Sequence, residues 1–455
     1  MKYRDLVVTD PDQLIFGTAA KPVTTRRGLV IGGGTVYPEL NFTLPPMSIN
    51  AATLPEVREH YRSIVAEALT HARHLHSPGV VFEFETLLEL TQNPSWGIEL
   101  VEVMNELCEQ AWTQHGFSSE IRLTPNDLRE FDRPPRNRTS EYLDQMWELF
   151  DRGAAVGGDL LSIESTGGKE VHDDALMMCD IKGSIFALAV LGVRDMKMIW
   201  PRIVKIAATH GRIAGGDTAC GFGNTAMVLA EKGFIPTVFA ALVRVVSAVR
   251  TLVAIEEGAA GPDKDCGYEG PFVKAITGTP ISMEGAASAC AHFSPVGNIA
   301  ASYADLWSNE SVQNVKLLAG MAPIVSLEQL EYSTRLMNTA TRCGDAVTLQ
   351  RLFAASDRHL DPQAFVLDPA NVIAISRELV AGTNYVDAAV RAALKAMDLI
   401  EEAVGGSVLA LPEAEVSWLP MLREALEDTP RQEDALVEQM LPLYGDKFLP
   451  AEYGL

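Results

Sequence analysis

Cysteine is scarce in this sequence. Six in 455 residues cannot build a disulfide framework, and a reducing cytosol keeps such thiols free. Basic charge is short as well. Against 60 Asp and Glu stand only 37 Lys and Arg, a net charge of −23. A surface that negative repels phosphate backbones and anionic lipid, which excludes nucleic acid and membrane surfaces as expected partners. No apolar run reaches the ~20 residues that cross a bilayer; the best candidates, 184–193 and 234–243, end at Arg194 and Arg244. The opening Met1-Lys2-Tyr3-Arg4-Asp5 lacks the apolar core of a secretory leader, so a cytoplasmic protein is expected. Internal repeats and low-complexity tracts are missing too. With 47% hydrophobic and 21% charged residues, the chain can bury a sizeable core.

Along the chain, Gly32-Gly33-Gly34 and Pro45-Pro46 punctuate a mixed opening, the triple glycine reading as a turn. A charge-laced helical stretch follows over 54–76. Short apolar runs then alternate with helical segments. Strands are expected at 80–85, 120–124, 159–164, 212–217, 252–256, 280–284 and 322–325, with helices such as 100–115, 140–152, 196–209 and 225–249 between them. That alternation calls for parallel strands with crossover helices. Seven such strands, with an eighth assumed, fit an α/β (β/α)8 TIM barrel better than an open sheet. Beyond 325 only amphipathic helices are legible. The expected organisation is an N-terminal extension at 1–78, a barrel at 79–325 and a helical C-terminal region at 326–455.

Barrel active sites form where strands end at their C-terminal face. Residues 159–164 finish in Glu164. The run 212–217 ends in Asp217 and leads directly to Cys220, and 252–256 leads through a polar loop to Cys266. Three consecutive strand ends thus offer a carboxylate and two thiols. That set suits Zn2+ with a fourth position open to substrate, whereas calcium and magnesium favour shells of oxygen. Two thiolates and a carboxylate exceed the 2+ charge, which makes for a milder Lewis acid than zinc on neutral histidines. Asp217, Asp265 and Glu284 are candidates to steady neighbouring loops or to give a proton to a leaving oxygen, with loop capping by Asp as the plainer alternative. Cys290 and His292 are a candidate fourth ligand pair.

Other features carry less. Cys108, Cys179 and Cys343 sit in helical segments and read as packing. Gly221-Phe222-Gly223-Asn224-Thr225-Ala226 matches a dinucleotide fingerprint, but no second strand with a terminal acid follows at the required distance. His71, His74 and His76 read as a solvated helix end.

The segments Glu164-Ser165-Thr166-Gly167-Gly168-Lys169-Glu170, Gly216-Asp217-Thr218-Ala219-Cys220 with Asn224-Thr225-Ala226-Met227, and Gly261-Pro262-Asp263-Lys264-Asp265-Cys266-Gly267-Tyr268-Glu269 resemble the zinc-binding segments of methanol:corrinoid methyltransferases. So do Met283-Glu284-Gly285, Cys290-Ala291-His292, Trp307-Ser308-Asn309-Glu310-Ser311 and Asp361-Pro362-Gln363-Ala364, over nearly the whole chain. The resemblance implies a zinc-containing barrel with Glu164, Cys220 and Cys266 as ligands. It further implies methyl transfer from methanol to the Co(I) corrinoid of a separate corrinoid protein, and a homodimer within a hetero-oligomer. Gly221-Phe222-Gly223 departs from that pattern by opening room beside Cys220, so a methoxylated aromatic ether is the alternative donor. A zinc hydrolase or lyase on a similar barrel is the other reading, and a non-catalytic subunit with a closed structural zinc a third.

Overall fold

The computed structural model describes residues 1–44, 47–264, 266–285, 295–312, 316–317 and 320–455. Seven parallel strands form one curled sheet. From one edge to the other they are Ile213–Asp217, Leu160–Ile163, Ser119–Thr124, Val80–Glu85, Tyr37–Thr43, Leu306–Val312 and Ser282–Glu284. Residues 260–263 fill the gap between the two edges. The amides of Ala260 and Gly261 donate to Ala214 O and Gly215 O, each at 2.8 Å. On the other side Ser282 N donates to Asp263 O at 3.1 Å, and Asp263 bridges Ile281 in parallel. The sheet therefore closes into an eight-membered ring of the TIM-barrel type, with its helices outside.

Two expected strands are helices. Residues 252–256 end the helix Thr237–Glu256, in which every residue from Val238 onward is buried. A short apolar run carries no period that separates a buried strand from a buried helix, and the true sixth strand is the Gly-Pro segment 260–263. Residues 322–325 open the helix Ala322–Cys343, with Pro323 in its first turn. The strands Tyr37–Thr43 and Leu306–Val312 went unread because Pro38, Asn41, Ser308 and Asn309 break the apolar pattern. Barrel strands therefore begin inside the segment expected as an extension.

The helix Thr237–Glu256 also corrects the reading of short apolar runs. Among the described residues it is the one helix long and apolar enough to cross a membrane, and it lies wholly inside the fold.

The barrel interior is polar. Arg122, fully buried, donates to Glu39 Oε1 (2.6 Å), Ser162 Oγ (2.8 Å) and Pro262 O (2.9 Å). A buried guanidinium must be paired this way or it would forfeit several kcal/mol. At the N-terminal mouth an antiparallel hairpin, Thr18–Thr24 with Val30–Gly33, lays Leu29 and Ile31 against Tyr37, Val81, Leu160 and Leu306. That leaves the C-terminal face for chemistry. Beyond the barrel the chain is helical, from Ala322–Cys343 through Tyr385–Gly405 to Glu433–Tyr444.

Candidate metal centre

Three loops at the C-terminal face gather the predicted donors. Glu164 follows the strand Leu160–Ile163 directly. Its loop is pinned from several sides. Ser165 donates through its amide and hydroxyl to Asp217 (3.2 and 2.8 Å), Thr166 through both its amide and hydroxyl to Asp127 (2.9 and 3.0 Å), and the Gly168 amide to Tyr453 Oη (2.8 Å). Gly168 has φ +90°, and a Cβ there would lie 2.6 Å from Ala187 O, so the turn into the next helix needs glycine.

Cys220 opens the helix Cys220–Glu231, where the helix dipole favours a thiolate. Asn224 Nδ2 donates to its Sγ at 2.9 Å. Before it, the Ala219 amide donates to the buried Glu269 at 2.6 Å. Cys266 is itself buried. A Cβ on Gly223 would sit 3.1 Å from Gly267 O, and one on Gly267 would sit 3.1 Å from the Ala219 carbonyl carbon. These glycines let the two cysteine loops approach each other. The GxGxxA pattern is thus the packed first turn of a helix, and Gly223 opens no room for a ring.

The outcome is a compact donor set. One carboxylate oxygen of Glu164 and the sulfurs of Cys220 and Cys266 lie within 4.8 Å of one another. Cys220 and Cys266 have Cα atoms 5.3 Å apart and their sulfurs are joined as a disulfide, where the sequence led us to expect thiols. The loops hold both sulfurs within bonding reach, and one separation serves a disulfide or two ligands of one ion. Glu164 adds a carboxylate beside the two sulfurs, and that carboxylate is paired with Lys264. Donors on one tetrahedral zinc stand roughly 3.5 Å apart, so binding that metal requires the disulfide reduced to two thiolates, with the sulfurs moving apart and the Glu164 oxygen closing toward them.

Lys264, 4% exposed, reaches in from the Cys266 loop. Its ammonium touches Glu164 Oε1 directly, with Glu83 Oε1 at 3.6 Å and Glu85 Oε2 at 3.9 Å. Burial alone would lower its pKa, but Glu164, Glu83, Glu85 and Glu284 hold it well above the ordinary value. A cavity of about 110 Å³ adjoins Glu164, lined also by Glu85, Asn126, Glu130, Lys169 and Gly221.

Asp217 is fully buried and accepts from Trp200 Nε1 (2.9 Å), Ser165, Thr218 N (2.9 Å) and Arg250 (3.4 Å). With its oxygens occupied by the protein it anchors the Glu164 loop, the loop-steadying one of the two roles expected for it. Glu284 is buried at the end of Ser282–Glu284, its charge acting on Lys264. Asp265, Cys290 and His292 lie outside the described residues. Cys108 is buried as expected, whereas Cys343 is exposed at a helix end and fills no core.

Sequence reasoning missed the clamps. Arg250, fully buried, donates to Ser165 O (2.6 Å) and Thr218 O (2.9 Å), and stacks 4.7 Å over Phe222. Arg244 donates to Gly267 O (2.7 Å) and stacks over Tyr268. Both lie in the apolar helix Thr237–Glu256, so one element ties all three donor loops. Their signal was available, since a buried arginine in an apolar run must have partners.

Comparison with known proteins follows the same direction. The family model for the methanol-cobalamin methyltransferase B subunit matches residues 1–454. The chain is 36% identical over 461 residues to the methanol–corrinoid protein co-methyltransferase of Methanosarcina barkeri (strain Fusaro / DSM 804), covering 100% of this chain and 99% of that one. Its fold superposes with a TM-score of 0.95, at 35% identity, on a chain of the methanol:cobalamin methyltransferase complex MtaBC from Methanosarcina barkeri, again covering 100% and 99% of the two chains.

Proposed function

This chain belongs to the family of methanol-cobalamin methyltransferase B subunits, and from that membership we propose that it moves the methyl group of methanol to the Co(I) corrinoid of a partner protein, using zinc held by Glu164, Cys220 and Cys266. One observation carries the metal part: the two sulfurs and the carboxylate oxygen gather within 4.8 Å on three separate loops. Zinc bound there would supply Lewis acidity toward the methanol oxygen. In the overall transfer the methyl carbon leaves oxygen for cobalt, Co(I) becomes methyl-Co(III), and the oxygen takes a proton to leave as water. With the disulfide reduced, Asn224, which donates to Cys220 Sγ, would steady the Cys220 thiolate. Arg250 and Arg244 fix the loops, so the donors need little rearrangement. Thiolate ligands call for a reducing compartment such as the cytosol. A homodimer bound to its corrinoid partner completes the proposal, and light scattering of the mixture measures it.

The test is direct. Incubation with methanol and a reduced corrinoid protein should convert the Co(I) spectrum to that of methyl-Co(III). No conversion with methanol, but conversion with a methoxylated aromatic, would move the substrate. No conversion with either would return the site to a zinc hydrolase or lyase.

A further inference from the structure

We propose that Lys264 is a positioning residue that sets the charge of the metal centre, holding one oxygen of Glu164 and cancelling the surplus negative charge of the donor set. The inference rests on the zinc reading above and adds to it. Two thiolates and a carboxylate bring three negative charges to a 2+ ion and leave one uncompensated. Around that set the structure places further acids from separate strands: Glu83 and Glu85 from Val80–Glu85, and Glu284 from Ser282–Glu284. Lys264 brings a cation into contact with this cluster. Its ammonium meets Glu164 Oε1 directly and faces Glu83 and Glu85 at 3.6 and 3.9 Å. Arg122, another buried cation of the barrel interior, donates to Glu39, Ser162 and Pro262 O, and its charge reaches Glu83 as well.

Chain connectivity reinforces the assignment. Lys264 stands two residues before Cys266 and directly after the segment 260–263 that closes the barrel. The backbone that delivers the second thiolate thus delivers the balancing cation. At 4% exposure the ammonium is not there for solubility, and a charge so placed is weakly screened by water. Holding one carboxylate oxygen leaves the other for the metal. It also reduces the electron density that Glu164 gives, which leaves a thiolate-rich centre more acidic toward its substrate.

The experiment uses the full-length chain and its K264M, K264R and C220S variants. It reads zinc content by chelator competition, the absorption of the cobalt(II)-substituted protein, and methyl transfer from methanol to the Co(I) corrinoid protein. K264M should keep about one zinc, held at least as tightly as in the wild type, while transfer falls roughly 10- to 100-fold. Its thiolate-to-cobalt absorption should shift, and K264R should restore both spectrum and transfer. If K264M does not fold, E83Q/K264M removes an acid together with the cation and is judged by the same criteria. Wild-type transfer with an unchanged spectrum in K264M overturns the proposal. So does loss of zinc from K264M, which would make Lys264 a scaffold of the loop. C220S keeps the underlying reading separate: it should lose zinc, and full zinc in C220S sinks the metal assignment itself.

Discussion

Replacing Arg250 by Met should destabilise the fold strongly. Its guanidinium is fully buried and spans Ser165 O, Thr218 O and Asp217, with Phe222 beneath. The substitution leaves Asp217 as a buried carboxylate without its cation, a loss of roughly 3–5 kcal/mol. Methionine covers Phe222 with similar apolar bulk, so packing recovers part of the loss. Asp217 keeps the bonds from Trp200, Ser165 and Thr218, which favours the lower half of the range, about 3 kcal/mol. D217N should destabilise as well, because an amide oxygen that still accepts from Trp200 leaves its NH2 facing the Ser165 and Thr218 amides and Arg250. The two sites share one interaction, so the R250M/D217N double variant should be more stable than the sum of the singles by about 1–3 kcal/mol. Urea unfolding followed by tryptophan fluorescence suits the purpose, since Trp200 itself donates to Asp217. Additivity within about 0.5 kcal/mol would refute the coupling and with it the clamp.

The remaining predictions concern the same loops. His172 is fully buried against Phe222, with ring centroids 5.1 Å apart, and burial pushes its pKa from 6.5 down to about 3. Between those values the unfolded chain takes up a proton that the folded chain refuses. Stability should therefore fall as pH drops from about 6.5 toward 3, by roughly 5 kcal/mol in full; H172F should flatten that part of a stability–pH curve, and an unchanged curve would contradict the assignment. Tyr453 Oη accepts from the Gly168 amide and donates to Glu170, both at 2.8 Å, so Y453F should cost about 1–3 kcal/mol in denaturation. G223A places a Cβ 3.1 Å from Gly267 O. Its helix gain of up to about 1 kcal/mol should mask the strain in a melting curve, while chelator competition shows zinc held less tightly.

The donor set was legible because each of its residues follows a strand end in polar, glycine-rich sequence, where packing does not call for a cysteine. The route to Cys266 was misread. Residues 252–256 are the buried tail of a helix, and the strand before Cys266 is 260–263, short, with glycine and proline and no apolar pattern. Tyr37–Thr43 was invisible for a related reason. Its inward residues Glu39 and Asn41 serve a polar barrel interior, so the apolar signal of a buried strand is absent. Lys264, Arg244, Arg250 and Glu269 escaped because their roles lie between elements distant in the chain: Arg250 meets Ser165 across 85 positions and Lys264 meets Glu164 across 100. Local sequence records that such charges need partners and leaves the partners unnamed.

X-ray absorption at the zinc edge of the protein purified under reducing conditions tests the central claim most directly. Two sulfur scatterers at about 2.3 Å with oxygen at about 2.0–2.2 Å, with the zinc lost from C266S as from C220S, is the predicted result. An absence of stoichiometric zinc, or a shell without sulfur, would contradict it.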